Sequence, residues 1–176
     1  PPVIPDGPGR LAIASIFESD SGQLWLGTHG QGLISYAPQT GRSTQYMNEE
    51  NNPRSLSHNT VHAIYQDRSG NIWAGTQFGL DMLSSETDSF VRHQHDHLQP
   101  DGLSDSEIRS LYVDEAGVLW VGTRIGGINK LDPYKTKFRH VQPTGDPSAG
   151  ISHPQVMALQ QDDQDYLWIG TGDGLN

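Results

Sequence analysis

The chain has 176 residues, 20 of them glycine, with only 18% charged and a formal net charge of −10. That acidity excludes a nucleic-acid surface, which needs a basic stripe. With no cysteine there is neither a disulfide framework nor a thiolate metal site, and no apolar run is long enough to span a bilayer.

Residues 1–9, opening Pro1-Pro2-Val3, carry no signal peptide and read as a segment cut from something longer. Beyond them the chain repeats itself. Trp25, Trp73, Trp120 and Trp168 stand 48, 47 and 48 residues apart, each in a Trp-x-Gly-Thr frame. That period is about the length of one four-stranded propeller blade. The expected fold is all-β, a β-propeller fragment of about three and a half four-stranded blades. The blades are placed at 10–57, 58–104 and 105–151, with a partial fourth at 152–176.

In the first copy Ile13 and Ile16 mark the first strand, Gly22 the turn, and Trp25-Leu26-Gly27-Thr28 the second strand. Gly32-Leu33 opens the third. The second copy is the clearest: Val61-His62-Ala63-Ile64-Tyr65-Gln66 alternates as a strand with one buried face. Asp67-Arg68-Ser69-Gly70-Asn71 is a tight turn, in which Asp bonds the following backbone and Gly accepts positive φ. Ile72-Trp73-Ala74-Gly75-Thr76 is the second strand, Leu80-Asp81-Met82-Leu83 the third, and Phe90-Val91-Arg92-His93 the fourth. A longer polar loop then leads to Leu103. In the third copy Ile108, Leu111, Gly117, Trp120-Val121-Gly122-Thr123 and Gly127-Ile128 fall at the same offsets. In the fourth, Val156, Leu159 and Trp168-Ile169-Gly170-Thr171 repeat them, and Asp165 takes the turn glycine's place as a residue tolerated in the left-handed region. Only two strands of this copy are complete before Asn176, Gly174-Leu175 opening a third. The tryptophans, glycines and threonines of the frame are predicted to be structural: a large ring fills the space between sheets, and the glycine beside it lets them approach.

The string Leu-Ser-x-x-x-[Val/Ile]-x-x-[Ile/Leu]-x-x-Asp-x-x-Gly-x-[Leu/Ile]-Trp-x-Gly-Thr-x-x-Gly-[Leu/Ile] resembles the two-component regulator propeller repeat. It is seen best at Leu56–Leu80 and Leu103–Ile128. The copy from Ile151 departs at Ile151 and Asp165, and the first copy departs further, with Pro8-Gly9 for Leu-Ser and Ser19 for Asp. The resemblance implies a periplasmic sensor region of a membrane-anchored hybrid histidine kinase or diguanylate cyclase receptor. It implies no enzyme activity and no cofactor in this segment, with further blades of the parent chain as neighbours.

Propeller geometry points to a binding face. If the first strand of each blade is innermost, the loop leading into it and the turn after the second strand lie together. Leading in are Arg10, His58-Asn59, Asp105-Ser106 and His153-Pro154. After each threonine come His29-Gly30-Gln31, Gln77-Phe78, Arg124-Ile125 and Gly172-Asp173. The candidate ligand contacts are Arg10, His29, Gln31, His58, Asn59, Gln77, Phe78, Asp105, Arg124, His153 and Asp173. Their composition suits a sugar or a small polar acid, on loops held by a rigid scaffold.

His93, His95 and His97 would share one side of a strand, successive members roughly 6.5 Å apart. Three span too far for one ion, and a solvated edge that discourages strand pairing is the simpler reading. No metal site is assigned. There is no nucleophile elbow, zinc-protease helix or phosphate loop. Asp162-Asp163 points to opposite faces of a strand and aligns with the turn residues Asp67 and Asp114. An open arc would expose apolar inter-blade surface around Trp25 and Trp168, so self-association is expected. The alternatives to ligand sensing are a protein-interaction or structural propeller, and a propeller lyase or hydrolase acting on polysaccharide through His58 or His153.

Overall fold

The computed structural model describes residues 11–99, 101–131, 138–144 and 150–176, so residues 1–9 and Arg10 lie outside the described residues. The architecture is all-β. The first sheet holds β1 (Ile13–Glu18), β2 (Leu24–Thr28), β3 (Leu33–Ala37) and β4 (Arg42–Tyr46). The second holds β5 (Val61–Gln66), β6 (Ile72–Thr76), β7 (Leu80–Leu83) and β8 (Phe90–His93). The third holds β9 (Ile108–Val113), β10 (Leu119–Thr123), β11 (Ile128–Leu131) and β12 (Phe138–Val141), and the fourth β13 (Val156–Gln161), β14 (Leu167–Thr171) and β15 (Gly174–Leu175). Each sheet is an antiparallel meander in chain order. β1 packs beside β5, β5 beside β9 and β9 beside β13, which makes the first strand of every sheet the innermost. The fourth sheet gains a two-residue third strand beyond its two complete ones, because the turn after Thr171 returns Leu175 opposite Gly170.

Apolar cores lie between successive sheets. Between the first and second are Trp25, Leu33, Leu56, Val61 and Phe90; between the second and third, Trp73, Leu80, Leu103, Ile108 and Val121; between the third and fourth, Ile128, Ile151 and Val156. The frame glycine is where consecutive sheets come closest. A Cβ on Gly75 would lie 2.6 Å from Ile108 Cγ2, and one on Gly122 would lie 2.6 Å from Val156 Cγ1. On Gly27 it would lie 2.8 Å from the Val61 carbonyl. So Val61, Ile108 and Val156, which begin β5, β9 and β13, are knobs seated on the glycine of the preceding sheet. The frame threonine closes the next turn: Thr28, Thr76, Thr123 and Thr171 donate to the carbonyls of Gly32, Gly79, Gly127 and Gly174 at 2.8–3.0 Å.

The tryptophan's indole N–H is anchored by the aspartate six residues earlier. Trp73 Nε1 donates to Asp67 Oδ2 at 2.9 Å, Trp120 to Asp114 at 2.9 Å and Trp168 to Asp162 at 2.7 Å. In the first copy Ser19 stands at that position, and Trp25 Nε1 is buried without a partner. Gly22, Gly70 and Gly117 adopt φ of 75°, 83° and 83°, and Asp165 takes 65° at the same place.

The Ser of each Leu-Ser or Ile-Ser pair is clasped from the third strand of its sheet or the residue just after it. Asn129 and Asn176 accept from the backbone N–H of Ser104 and Ser152 (2.9 and 2.7 Å) and donate to their hydroxyls. Asp81 does the same work for Ser57 with a carboxylate, accepting from both its N–H and its hydroxyl, while Asp81 Oδ1 stays unpartnered. Burial pushes the Asp81 carboxyl up to about 6.

His93 departs from the expected solvated edge. It is half-buried, stacked on Trp73 at 5.7 Å and edge-on to Phe138 at 6.0 Å, and burial lowers its pKa. β8 ends there, and the chain beyond turns so that His95 meets His97 (Nε2 to Nδ1, 3.2 Å) and the Leu103 carbonyl instead. Among the described residues no group of three or more His, Cys, Asp or Glu is placed to hold a metal ion.

Candidate functional site

The turns after β2, β6, β10 and β14 fold back onto the residues preceding their own inner strands. His29, Gln77, Arg124 and Gly172 donate backbone N–H bonds to the carbonyls of Ala12, Thr60, Glu107 and Gln155 at 2.9–3.1 Å. They also reach the next sheet: Gly30 and Gly32 donate to the Asn59 carbonyl, and Gly127 to that of Pro154. The two sets of predicted loops therefore form one continuous face.

Within that face several predicted contacts are committed to the backbone. His58 Nδ1 accepts from Thr60 N (3.0 Å), Asp105 Oδ1 from Glu107 N (3.2 Å) and His153 Nδ1 from Gln155 N (3.1 Å), all at one repeat position. Asp105 Oδ2 takes Ile125 N, and Asn59 Oδ1 takes Asn48 N at 2.7 Å. Gln31 is tied down through its backbone to Thr28 and Gln45. His29, Gln77, Phe78, Arg124 and Asp173 are exposed. Phe78 lies against the His58 ring at 5.0 Å, and Arg124 pairs with Glu107 at 3.1 Å.

The geometry adds a set of residues that sequence reasoning missed. Each inner strand carries a β-bulge at its second residue. The pairing of β1 with β2 skips from Ile13 to Ser15, β5 with β6 from Val61 to Ala63, β9 with β10 from Ile108 to Ser110, and β13 with β14 from Val156 to Ala158. The residues passed over are Ala14, His62, Arg109 and Met157. A bulged residue leaves the ladder and its side chain is re-aimed. All four, with Ile13, His29 and Gln155, line a single hollow of about 490 Å³ at the centre of the loop face. The repeat keeps the frame around this position and varies the position itself: alanine, histidine, arginine, methionine. The sequence carried a signal for it. Val61 and Ile64 are both buried, as are Ile108 and the partly buried Leu111 in their core. A spacing of three puts a regular strand's residues on opposite faces, and one bulge restores them to the same face.

Two polar atoms of this hollow's lining residues, His62 Nε2 and Arg109 Nε, are buried without a partner. Glu107, whose side chain is 13% exposed, pairs through one oxygen with Arg109 and through the other with Arg124. The His62 ring meets His29 edge-on at 5.8 Å. Burial, with the Arg109 charge adding to it, holds the His62 pKa below its ordinary value, so this imidazole is neutral at neutral pH.

A radial series of four small sheets, held by a repeated Trp-x-Gly-Thr frame and varied at its central mouth, is a β-propeller segment. Three of its repeats match the family described as "Two component regulator propeller", at residues 55–78, 102–124 and 150–173. Histidine kinase P4 of Formosa agariphila is 36% identical over 67 residues, a stretch covering 38% of this chain and 5% of that protein. Among solved structures, one described as the extracellular domain of a hybrid two-component system of B. thetaiotaomicron matches with a TM-score of 0.72 and 27% identity. It covers 93% of this chain and 19% of that one. Streptogramin B lyase matches with a TM-score of 0.64 at 19% identity over 94% of this chain and 53% of its own, a likeness of fold. The chain thus spans a small part of its sensor-type relatives.

Proposed function

We propose that this is a non-catalytic, extracytoplasmic ligand-sensing segment of a bacterial two-component or diguanylate cyclase receptor. The observation that carries the reading is the convergence of four bulged, mutually different side chains on one hollow inside a frame that otherwise repeats. The residues that pack repeat from sheet to sheet, and those aimed into the hollow supply a different chemistry from each sheet. Two carboxylates of the face, Asp105 and Glu107, are taken by backbone N–H groups or guanidiniums, so neither is free to act as a general base beside His62 or His29. The likeness to a hybrid two-component extracellular domain supports the periplasmic receptor setting. Occupancy of the hollow bridges several sheets, and its differential affinity for two arrangements of them would bias an output domain.

The test is thermal denaturation of the chain against a panel of glycans and small organic acids, repeated on His62→Ala and Met157→Ala. The expected result is a compound that raises the wild-type midpoint and loses that effect in both variants, with no product formed on incubation. Turnover of the compound overturns the non-catalytic reading, and a panel without any stabiliser overturns ligand sensing. A protein-interaction role has one observation in its favour: Phe78 and Ile125, at the tips of two turns of this face, are 52% and 70% exposed.

A further inference from the structure

Resting on the ligand-sensing reading, we infer that the hollow takes a small organic monoanion, its acidic group on Arg109 and His62 and its carbon body against Met157 and Ile13. Three observations meet there. The first is the pair of buried, unpartnered atoms, His62 Nε2 and Arg109 Nε, both belonging to bulged residues of adjacent inner strands. Buried polar atoms are paired almost everywhere in folded proteins, and of the six side-chain atoms without a partner among the described residues, two belong to residues lining this hollow. The second is charge. Glu107 is shared between Arg109 and Arg124, so the Arg109 guanidinium holds only part of one carboxylate's charge. It stands out on a chain whose net charge is −10. A guanidinium N–H binds a carboxylate with a strong, charge-assisted hydrogen bond. The His62 ring, with its unpartnered Nε2, adds a second polar contact beside the guanidinium. The third is the apolar part of the lining. Ile13 and Met157, on the first and the fourth inner strand, are 39% and 53% exposed. A volume of about 490 Å³ is in the range of small-molecule sites.

The test uses cyclohexanecarboxylate and its uncharged amide as probes, which share a carbon body and differ in charge. Each is titrated into the isotope-labelled chain while the Arg109 Nε–H and His62 ring resonances are followed by NMR. The expected result is saturable movement of both resonances by the carboxylate, with affinity at least about tenfold above that of the amide at low salt. The preference should shrink as salt screens the Arg109 charge. Arg109→Gln should abolish the preference. Arg109→Lys, which keeps the charge but not the Nε–H, should retain part of it, a split that simple misfolding would not produce. Equal binding of acid and amide overturns the anion assignment while leaving ligand sensing intact. So does the absence of any movement of these two resonances by the acid. Failure of sensing itself would appear separately, as the lack of any stabilising compound in the broader panel.

Discussion

Trp25 is the one frame tryptophan whose indole N–H lacks an acceptor, and the cause is a single side chain. Asp67, Asp114 and Asp162 each use one carboxylate oxygen for the turn backbone and the other for the indole. The Ser19 hydroxyl reaches only the turn, bonding Gln23 and Ser21. A hollow of about 260 Å³ opens beside it, lined by Ser21, Gln23, Trp25 and Gln66 among others, so there is room for the missing carboxylate. Ser19→Asp is therefore expected to stabilise the chain. One charge-assisted bond to a buried donor, less the cost of burying the carboxylate, contributes about 1 kcal/mol. For a chain of this size that raises the thermal midpoint by roughly 2–4 °C. Calorimetry of Ser19→Asp, Trp25→Phe and the double variant closes the argument as a cycle. A gain that persists with phenylalanine at 25 would show that the indole is not its source.

At the scale of the element, the glycine of each frame does different work in different sheets. Gly75 and Gly122 seat the first residue of the following inner strand, and the added methyl of alanine would collide with Ile108 or Val156. Gly170 has nothing closer than Ala158 Cβ at 3.5 Å, ordinary contact. Gly75→Ala is expected to cost about 1–3 kcal/mol through overpacking, and Gly170→Ala to fall within about 0.5 kcal/mol of wild type. Chemical denaturation of the two variants measures the contrast directly. Equal losses would mean that the glycine serves its own strand rather than the neighbouring sheet. This is also the scale at which legibility in the sequence divides. The strands were readable because Asp-x-x-Gly turns and the Trp-x-Gly-Thr frame recur at fixed offsets, and β5 to β8 occupy the predicted residues. The bulges are legible only indirectly, in the spacing of three between Val61 and Ile64, because a strict period of two passes over the aimed position between Val61 and Ala63. The loop face was readable as a face. That His58, Asp105 and His153 each spend a side-chain atom on a backbone N–H two residues on was not, because a ring nitrogen's partner depends on geometry the sequence does not carry.

Across the whole molecule the knob-and-socket contact occurs three times internally and is half-formed twice. Val61, Ile108 and Val156 are fully buried in their sockets, whereas Ile13, the same residue of β1, is 39% exposed. The Gly170 socket is correspondingly open, and Met157, Trp168 and Leu175 flank it at 53%, 43% and 67% exposure. An unfilled knob at one side and an unfilled socket at the other are complementary by construction, since the same pairing already holds the first sheet to the second. We propose that a second copy fills them when no further blade does, Ile13 of each seating at Gly170 of the other. Four sheets from each copy make eight, the upper end of the usual range for a closed ring. The contact is head-to-tail, so it closes only if the rotation per sheet permits, and otherwise grows. The shared negative charge opposes association at low salt and is screened as salt rises. Light scattering over a concentration series at two salt levels is expected to give twice the chain mass, more completely at the higher salt. Gly170→Ala, neutral for the stability of the single copy, should return the mass to that of one chain, and Ile13→Asp should do the same. A wild-type chain that stays single at high concentration and high salt would overturn the pairing. A larger species indifferent to Gly170→Ala would place the contact on another surface.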